Sequence, residues 1–374
     1  MKRLTLLSVL LCACASTPTP PAPSAYVSLP TSGKCTIRTL PSSTGLAVPG
    51  QSAQAGSTQA GSTQAGSAQA GSAQGPLNLP APGTDAATAA QLRELLATMR
   101  FSAVQQGLQG CPEARLAIIG LGYAPLPEHA PHLSPPGYNP ATEVSGEGAA
   151  RTPYADASMT AAVDAVAHIQ IGGDPGGSGL GNVRVTALGV GGANGVASEA
   201  ALLRALSYAS NVALSDRAVT VPHNPAPASV IVIDLQLPGL SQPVTAFIRT
   251  LLDSGVRLVA PASDAASFPA QISGVVAVTA LSRSGAALPT SGHADVAMVG
   301  ENPRVRLTSP QVAAAHLGAL LALRDSLGPD LSSATVYACL RASGSVAERT
   351  EATGYGLIDA SKVLSETFSP CVVR

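Results

Sequence analysis

Several short runs in this chain are apolar on both faces, not at alternate positions. They include Leu116–Ile119, Val256–Ala260 and Val275–Ala280, and Val230–Leu235 is broken only by Asp234. A strand of this kind must be covered from both sides, which is the condition of a parallel sheet packed between helices. Val183–Val190 is also strand-like. Helical stretches alternate with the strands: Met159–Ala167, Glu199–Tyr208 with Leu202, Leu203 and Leu206 on one face, and Val244–Asp253. Two long helices, from about Ser309 to Leu327 and from Leu331 to Ala342, close the pattern. Strand, turn and helix in alternation from Arg115 onward argue for an α/β domain, a mostly parallel central sheet with helices on both faces. About 290 residues are available for it, an ordinary size for one such domain.

The composition says how that core is filled. Hydrophobic residues make up 45% of the 374, but aromatics are 3% and tryptophan is absent, so the interior is built from alanine, valine and leucine. Charged residues are 11%, well under the roughly 25% of an average soluble domain. A net charge of -1 gives no electrostatic reason to bind nucleic acid or an anionic membrane surface. Beyond the N-terminus no apolar run approaches the roughly 20 residues of a membrane span.

The N-terminus reads as an export signal. Lys2 and Arg3 precede the apolar stretch Leu4–Leu11. Leu11-Cys12-Ala13-Cys14 then resembles a bacterial lipoprotein signal, with Cys14 as the lipidated residue of an exported cell-envelope lipoprotein. The alternative is an ordinary signal peptide cut near Ala15. With residues 1–13 removed and Cys14 lipidated, Cys35, Cys111, Cys339 and Cys371 remain. Four cysteines in an oxidising compartment suggest two disulfides in one of three connectivities, of which Cys339–Cys371 and Cys35–Cys111 are favoured. No CxxC or Cys/His spacing suggests a metal, and no cofactor is expected.

Residues 14–83 form a linker rich in Pro, Gly, Ser and Gln. Gln54–Ala73 is four tandem pentapeptides, QAGST twice and QAGSA twice, which carry no large apolar residue and match no solenoid period. Globular structure is expected from Thr84, where Asp85 caps a helix running to about Leu108 with Leu92, Leu95, Leu96, Met99 and Phe101 as its apolar positions. Residues 84–110 are thus an N-terminal helix, either a remnant propeptide or part of the body, and 111–374 the main domain.

Within that domain the segments "RLAIIGLGY" (Arg115–Tyr123), "VRVTALGVGGANGVASEAALLRALSYA" (Val183–Ala209) and "VIVIDLQLPG" (Val230–Gly239) resemble successive core segments of subtilisin-like serine peptidases. So do "GVRLVAPASDAASFPAQISGVVAVTAL" (Gly255–Leu281), the turn "HADVAMVG" (His293–Gly300) and "TGYGLIDASKVL" (Thr353–Leu364). The likeness extends from about Arg115 to Leu364 and implies a subtilisin-like three-layer sandwich. It also implies nucleophilic catalysis by a Ser, a His that takes its proton and an Asp that orients the His, with an Asn holding the oxyanion.

Carried over residue by residue, that machinery is degenerate. The family Asp falls at Gly120, and the family His, in "SMTAAVDAVA", falls at Ser158. The oxyanion Asn falls at Ser263 or Asp264. "LTSPQVAA" (Leu307–Ala314) fits the nucleophile motif in two ways: Ser309 is the nucleophile, or Ser309 is the family's second Ser and the catalytic place lies near Arg306. The resemblance therefore implies a pseudo-peptidase. Its peptide or protein partner would lie in the old substrate cleft as an added strand, or the protein would act as a scaffold. The competing reading is an active subtilisin-type serine endopeptidase using Ser309 with a displaced base.

Other candidates carry less. His129 and His132 sit in a Pro-rich loop, read as surface, with no third metal ligand at suitable spacing. His168 is a candidate displaced base, and His316 reads as a satisfied helix histidine. Asp234 is either a wall of the old cleft or an ordinary strand-end residue. "GGDPGGSGLG" (Gly172–Gly181) lacks the phosphate-loop lysine and precedes its strand, so it is a connection. No acidic cluster supports the calcium common in the family.

Overall fold

The computed structural model describes residues 86–101, 113–134, 137–146, 154–171, 183–215, 219–262, 268–288, 293–327 and 331–365. In chain order the elements begin with α1 (Ala86–Thr98), β1 (Ala114–Gly120), a 3-10 turn (Pro127–His132) and a small hairpin of β2 (Tyr138–Asn139) and β3 (Val144–Ser145). Then come α2 (Ala157–Ile171), β4 (Val183–Gly189), α3 (Glu199–Ser210), β5 (Val230–Ile233), α4 (Gln242–Asp253), β6 (Arg257–Pro261), β7 (Val276–Leu281) and β8 (Val296–Val299). A second hairpin of β9 (Glu301–Asn302) and β10 (Leu307–Thr308) leads into α5 (Pro310–Leu327), α6 (Ser333–Ser343) and α7 (Ala360–Val363).

Six strands form one parallel sheet in the order β4-β1-β5-β6-β7-β8. Its two faces are filled by alternate residues of the same strands, as the pleat requires. Leu116 and Ile118 of β1, with Val230 and Val232 of β5, face a core shared with α1, α2, α5, α6 and α7. Ala117, Ile119, Ile231 and Ile233 face the opposite core, shared with α3 and α4. The fully apolar runs of the sequence are thus explained, since both faces of each strand are covered.

Helix α5 is apolar nearly all round and buried from Val312 to Arg324, so packing holds it, not an amphipathic stripe. Gly318 lets it lie against the sheet: a Cβ there would overlap the Val232 side chain and stand 3.1 Å from Leu116 Cδ1.

Two features depart from the sequence expectation. Helix α1 ends at Thr98, not near Leu108, and Arg100 leaves it in the left-handed region at φ 57°. The segment His293–Gly300, read as a turn, supplies the sixth strand β8. Helix α1 belongs to the body of the domain: Leu95, Leu96, Met99 and Phe101 lie in the main core. Ala360 donates its N–H to Met99 O at 3.1 Å, and Arg100 pairs with Asp359 at 3.2 Å.

Candidate functional site

The strand order reverses direction between β1 and β5. The chain passes from β1 outward to β4, returns through α3 to β5, and then builds away on the other side. In an open parallel sheet the crevice at the carboxyl ends of such strands is where ligands bind. Here β1 ends at Gly120 and β5 runs directly into Asp234, whose N–H bonds Ile119 O at 2.7 Å. The N-terminus of α2 lies over this point.

That helix start is built by Asp156. Its Oδ2 accepts the Met159 N–H at 3.2 Å, an N-cap bond, and also the Ser158 hydroxyl. Its carbonyl accepts the Thr160 hydroxyl at 2.7 Å, and Thr160 Oγ1 in turn takes the Ala124 N–H at 3.1 Å, fixing the loop after β1. Asp156 and Ser158 are half-buried and face the crevice, while Met159 beside them is wholly buried. Its side chain covers the end of β1: a Cβ on Gly120 would lie 2.9 Å from Met159 Sδ.

Asp234 stands behind this pair, 4% exposed, with both carboxylate oxygens lacking a hydrogen-bond partner. Burial pushes its carboxyl well above the usual range. The charge of Asp156 pushes the same way, and the nearby Ser158 hydroxyl, whose own hydrogen bond goes to Asp156, offsets this in part. The set is a buried carboxyl, a hydroxyl and a half-buried carboxylate. Among the described residues no imidazole is bonded to Ser158, whose hydroxyl donates to Asp156 Oδ2.

The structure brings Gly120 and the Ser158 segment together through Met159. Ser309 sits at the head of α5, where its Oγ accepts the Val312 N–H at 3.3 Å and its N–H bonds Gly300 O at 2.8 Å. Among the described residues, no imidazole or carboxylate is bonded to it. Arg306, the other nucleophile place, is an exposed turn residue between β9 and β10 at φ 52°. Ser263, Asp264, Cys14, Cys35, Cys111, Cys371, the linker repeats and Gly172–Gly181 lie outside the described residues, as does the His168 side chain. Cys339 is buried on α6.

His129 departs from its surface reading. It is fully buried, and its Nε2 lies 2.8 Å from Oδ1 of Asp164, itself fully buried on α2. Asn302 of β9 donates to Asp164 Oδ2 and to Ala161 O, both at 2.9 Å, and Arg304 Nε stands 3.8 Å from Asp164 Oδ1. This network ties the loop after β1, helix α2 and the β9–β10 hairpin into one frame under the crevice. A polar residue inside the Ala/Val helix pattern at position 164 was its one sequence signal. Asp156 was also missed, although an Asp just before a helical run is the ordinary N-cap signature. Among the described residues, no group of three or more His, Cys, Asp or Glu is placed to hold a metal. His316 is buried, with Nδ1 2.7 Å from Val299 O.

No protein-family model and no curated protein matches this sequence. Solved structures do match in shape. A protease of Pseudoalteromonas arctica PAMC 21717 superposes with a TM-score of 0.54 at 20% identity, covering 78% of this chain and 94% of its own. MycP1 with its N-terminal propeptide removed gives 0.54 at 18% identity over 73% of this chain and 96% of that one. The MycP3 protease from the type VII (ESX-3) secretion system gives 0.53 at 19% identity, with coverages of 73% and 88%. The parallel six-stranded sheet, its two helical layers and these likenesses together establish that the chain has a subtilisin-like α/β fold.

Proposed function

We propose that this chain is a pseudo-peptidase that holds an extended peptide or protein segment in the crevice above Gly120 and Ser158 without cutting it. The observation that carries the reading is the place of the Met159 side chain. A Cβ at position 120 would stand 2.9 Å from its Sδ, so the end of β1 is packed around a residue without a side chain, which supports the loss of an orienting carboxylate there. With Ser158 at the base position, the two groups that activate a serine are both replaced. Loss of those groups leaves at most the residual catalysis of oxyanion donors and binding, about 10³–10⁴ over water.

The reading includes export and attachment through a lipidated Cys14, which the pattern Leu11–Cys14 supports. It also includes a Cys339–Cys371 disulfide closing the C-terminal region. Lipid attachment is tested by mass spectrometry of the mature N-terminus. A Cys14 carrying acyl chains is expected, and a free Ala15 or Ser16 N-terminus contradicts it.

Binding without cleavage is tested by incubating the full chain with a library of unstructured peptides and reading both retained and produced species. Peptides are expected to be retained intact. New termini that depend on the protein overturn the reading, and retention of nothing removes its binding half.

A further inference from the structure

At the opposite end of the sheet, a cavity of about 800 Å³ opens between the amino ends of β6 and β7, the residues leading into β8, and helix α6. Its floor is apolar, formed by Leu258, Val276, Leu321 and Val336. Its rim is rich in hydrogen-bond donors. Asp295, the carboxylate among the described lining residues, is already engaged. Its Oδ2 accepts the Ala277 N–H at 3.0 Å, and its Oδ1 accepts the Tyr337 hydroxyl at 2.5 Å and Arg349 at 3.4 Å.

Donors are left over. Ser333 and Ala334 open α6, and their N–H groups precede the first helical acceptors, whereas that of Thr335 is taken by Ser332 Oγ at 3.1 Å. Arg349 is 44% exposed and lines the same cavity, as does His293; the Arg349 Nη2 is committed to Ala294 O at 3.0 Å and Asp295 Oδ1 at 3.4 Å, which leaves its other nitrogens. Arg257, only 8% exposed, also lines the cavity. Two of its nitrogens are held by Gly255 O, Leu331 O and Asp325, and its Nε has no hydrogen-bond partner. A helix N-terminus and an arginine at the mouth of an apolar cavity favour an anion attached to an apolar body.

We propose that this cavity binds a monocarboxylate with an apolar body, its carboxylate between Arg349 and the start of α6 and its body on the Leu258–Val276–Leu321 floor. Two sources share that chemistry, a small aliphatic acid and the free C-terminus of an apolar peptide. The site is independent of the crevice, which lies at the other end of the strands.

Calorimetric titration of the full chain tests it with octanoate and with acetyl-Ala-Val-Leu, each compared with its neutral amide. At least one acid is expected to bind, and its amide to bind about tenfold or more weaker, the worth of a charge-assisted hydrogen bond. Arg349→Gln is expected to reduce affinity about tenfold. Ala334→Trp, which fills the mouth from an exposed helix position, is expected to abolish binding, with circular dichroism checking the fold of both variants. Octanoate alone binding assigns the small-acid source, and the peptide alone assigns the C-terminal one. Absence of binding by both acids, amides that match the acids, or binding that survives Ala334→Trp overturns the proposal.

Discussion

Met159 and Gly120 occupy one space between them: a Cβ on Gly120 would stand 2.9 Å from Met159 Sδ and 3.0 Å from its Cγ. The two identities are therefore coupled. A side chain at position 120 would force the Met159 side chain to shift, so the two positions share one packing space.

This coupling sets the first expectation. Gly120→Asp should destabilise by about 1–3 kcal/mol through overpacking, and more where the new carboxylate is left unpaired. Met159→Ala should cost about 2–5 kcal/mol as a cavity. Combined, the two changes should cost less than their sum by about 1 kcal/mol or more, because each makes room for the other. Urea denaturation of the four proteins measures the difference, and strict additivity would show that the contact is not shared.

Asp234 sets a pH expectation. Its carboxyl is raised in the folded state by burial and by the charge of Asp156, whereas in the unfolded chain it ionises near its ordinary value of about 4. The folded state therefore holds the proton more tightly. The stabilisation is full below about pH 4 and declines as the pH climbs toward and through the raised folded value. Asp234→Asn removes that decline, so it should raise the melting temperature at pH 7 and change it little at pH 4. An equal effect at both pH values would contradict the assignment.

The buried His129–Asp164 pair is expected to behave as a frame and not as a reactive dyad. Removing one partner leaves the other group in a fully buried place, so Asp164→Ala should cost about 3–5 kcal/mol. Loss of stability by that amount with an unchanged peptide profile in the crevice fits a frame. Loss of binding at unchanged stability would assign the pair to the site itself.

At Gly318 two effects oppose each other. Alanine gains up to about 1 kcal/mol of helix propensity over glycine, but its methyl would overlap the Val232 side chain. Overpacking costs about 1–3 kcal/mol in a filled core, so Gly318→Ala should destabilise despite its propensity gain. Chemical denaturation decides the sign.

Much of the fold was legible because the signal is physical and local. Leu116–Ile119 and Val230–Ile233 are apolar on both faces, and the structure places their alternate residues in the two separate cores. Strand β8 was not legible. "VAMV" is short and follows directly on an acid, Asp295, and its strand character comes from pairing with β7. In the crevice, Gly120 and Ser158 could be picked out by position, but the residues packed around them could not. That Met159 packs on Gly120, and that Asp156 and Asp234 both lie beside Ser158, depends on bringing together residues from β1, α2 and β5. The same holds for His129, whose partner Asp164 lies 35 positions away.

The central claim is the absence of an activated serine, and labelling of the full chain by a fluorophosphonate, beside Ser309→Ala, tests it most directly. The expected result is no labelling of a protein that circular dichroism shows to be folded. Labelling that disappears in the Ser309→Ala variant would contradict the claim and show that another group activates Ser309.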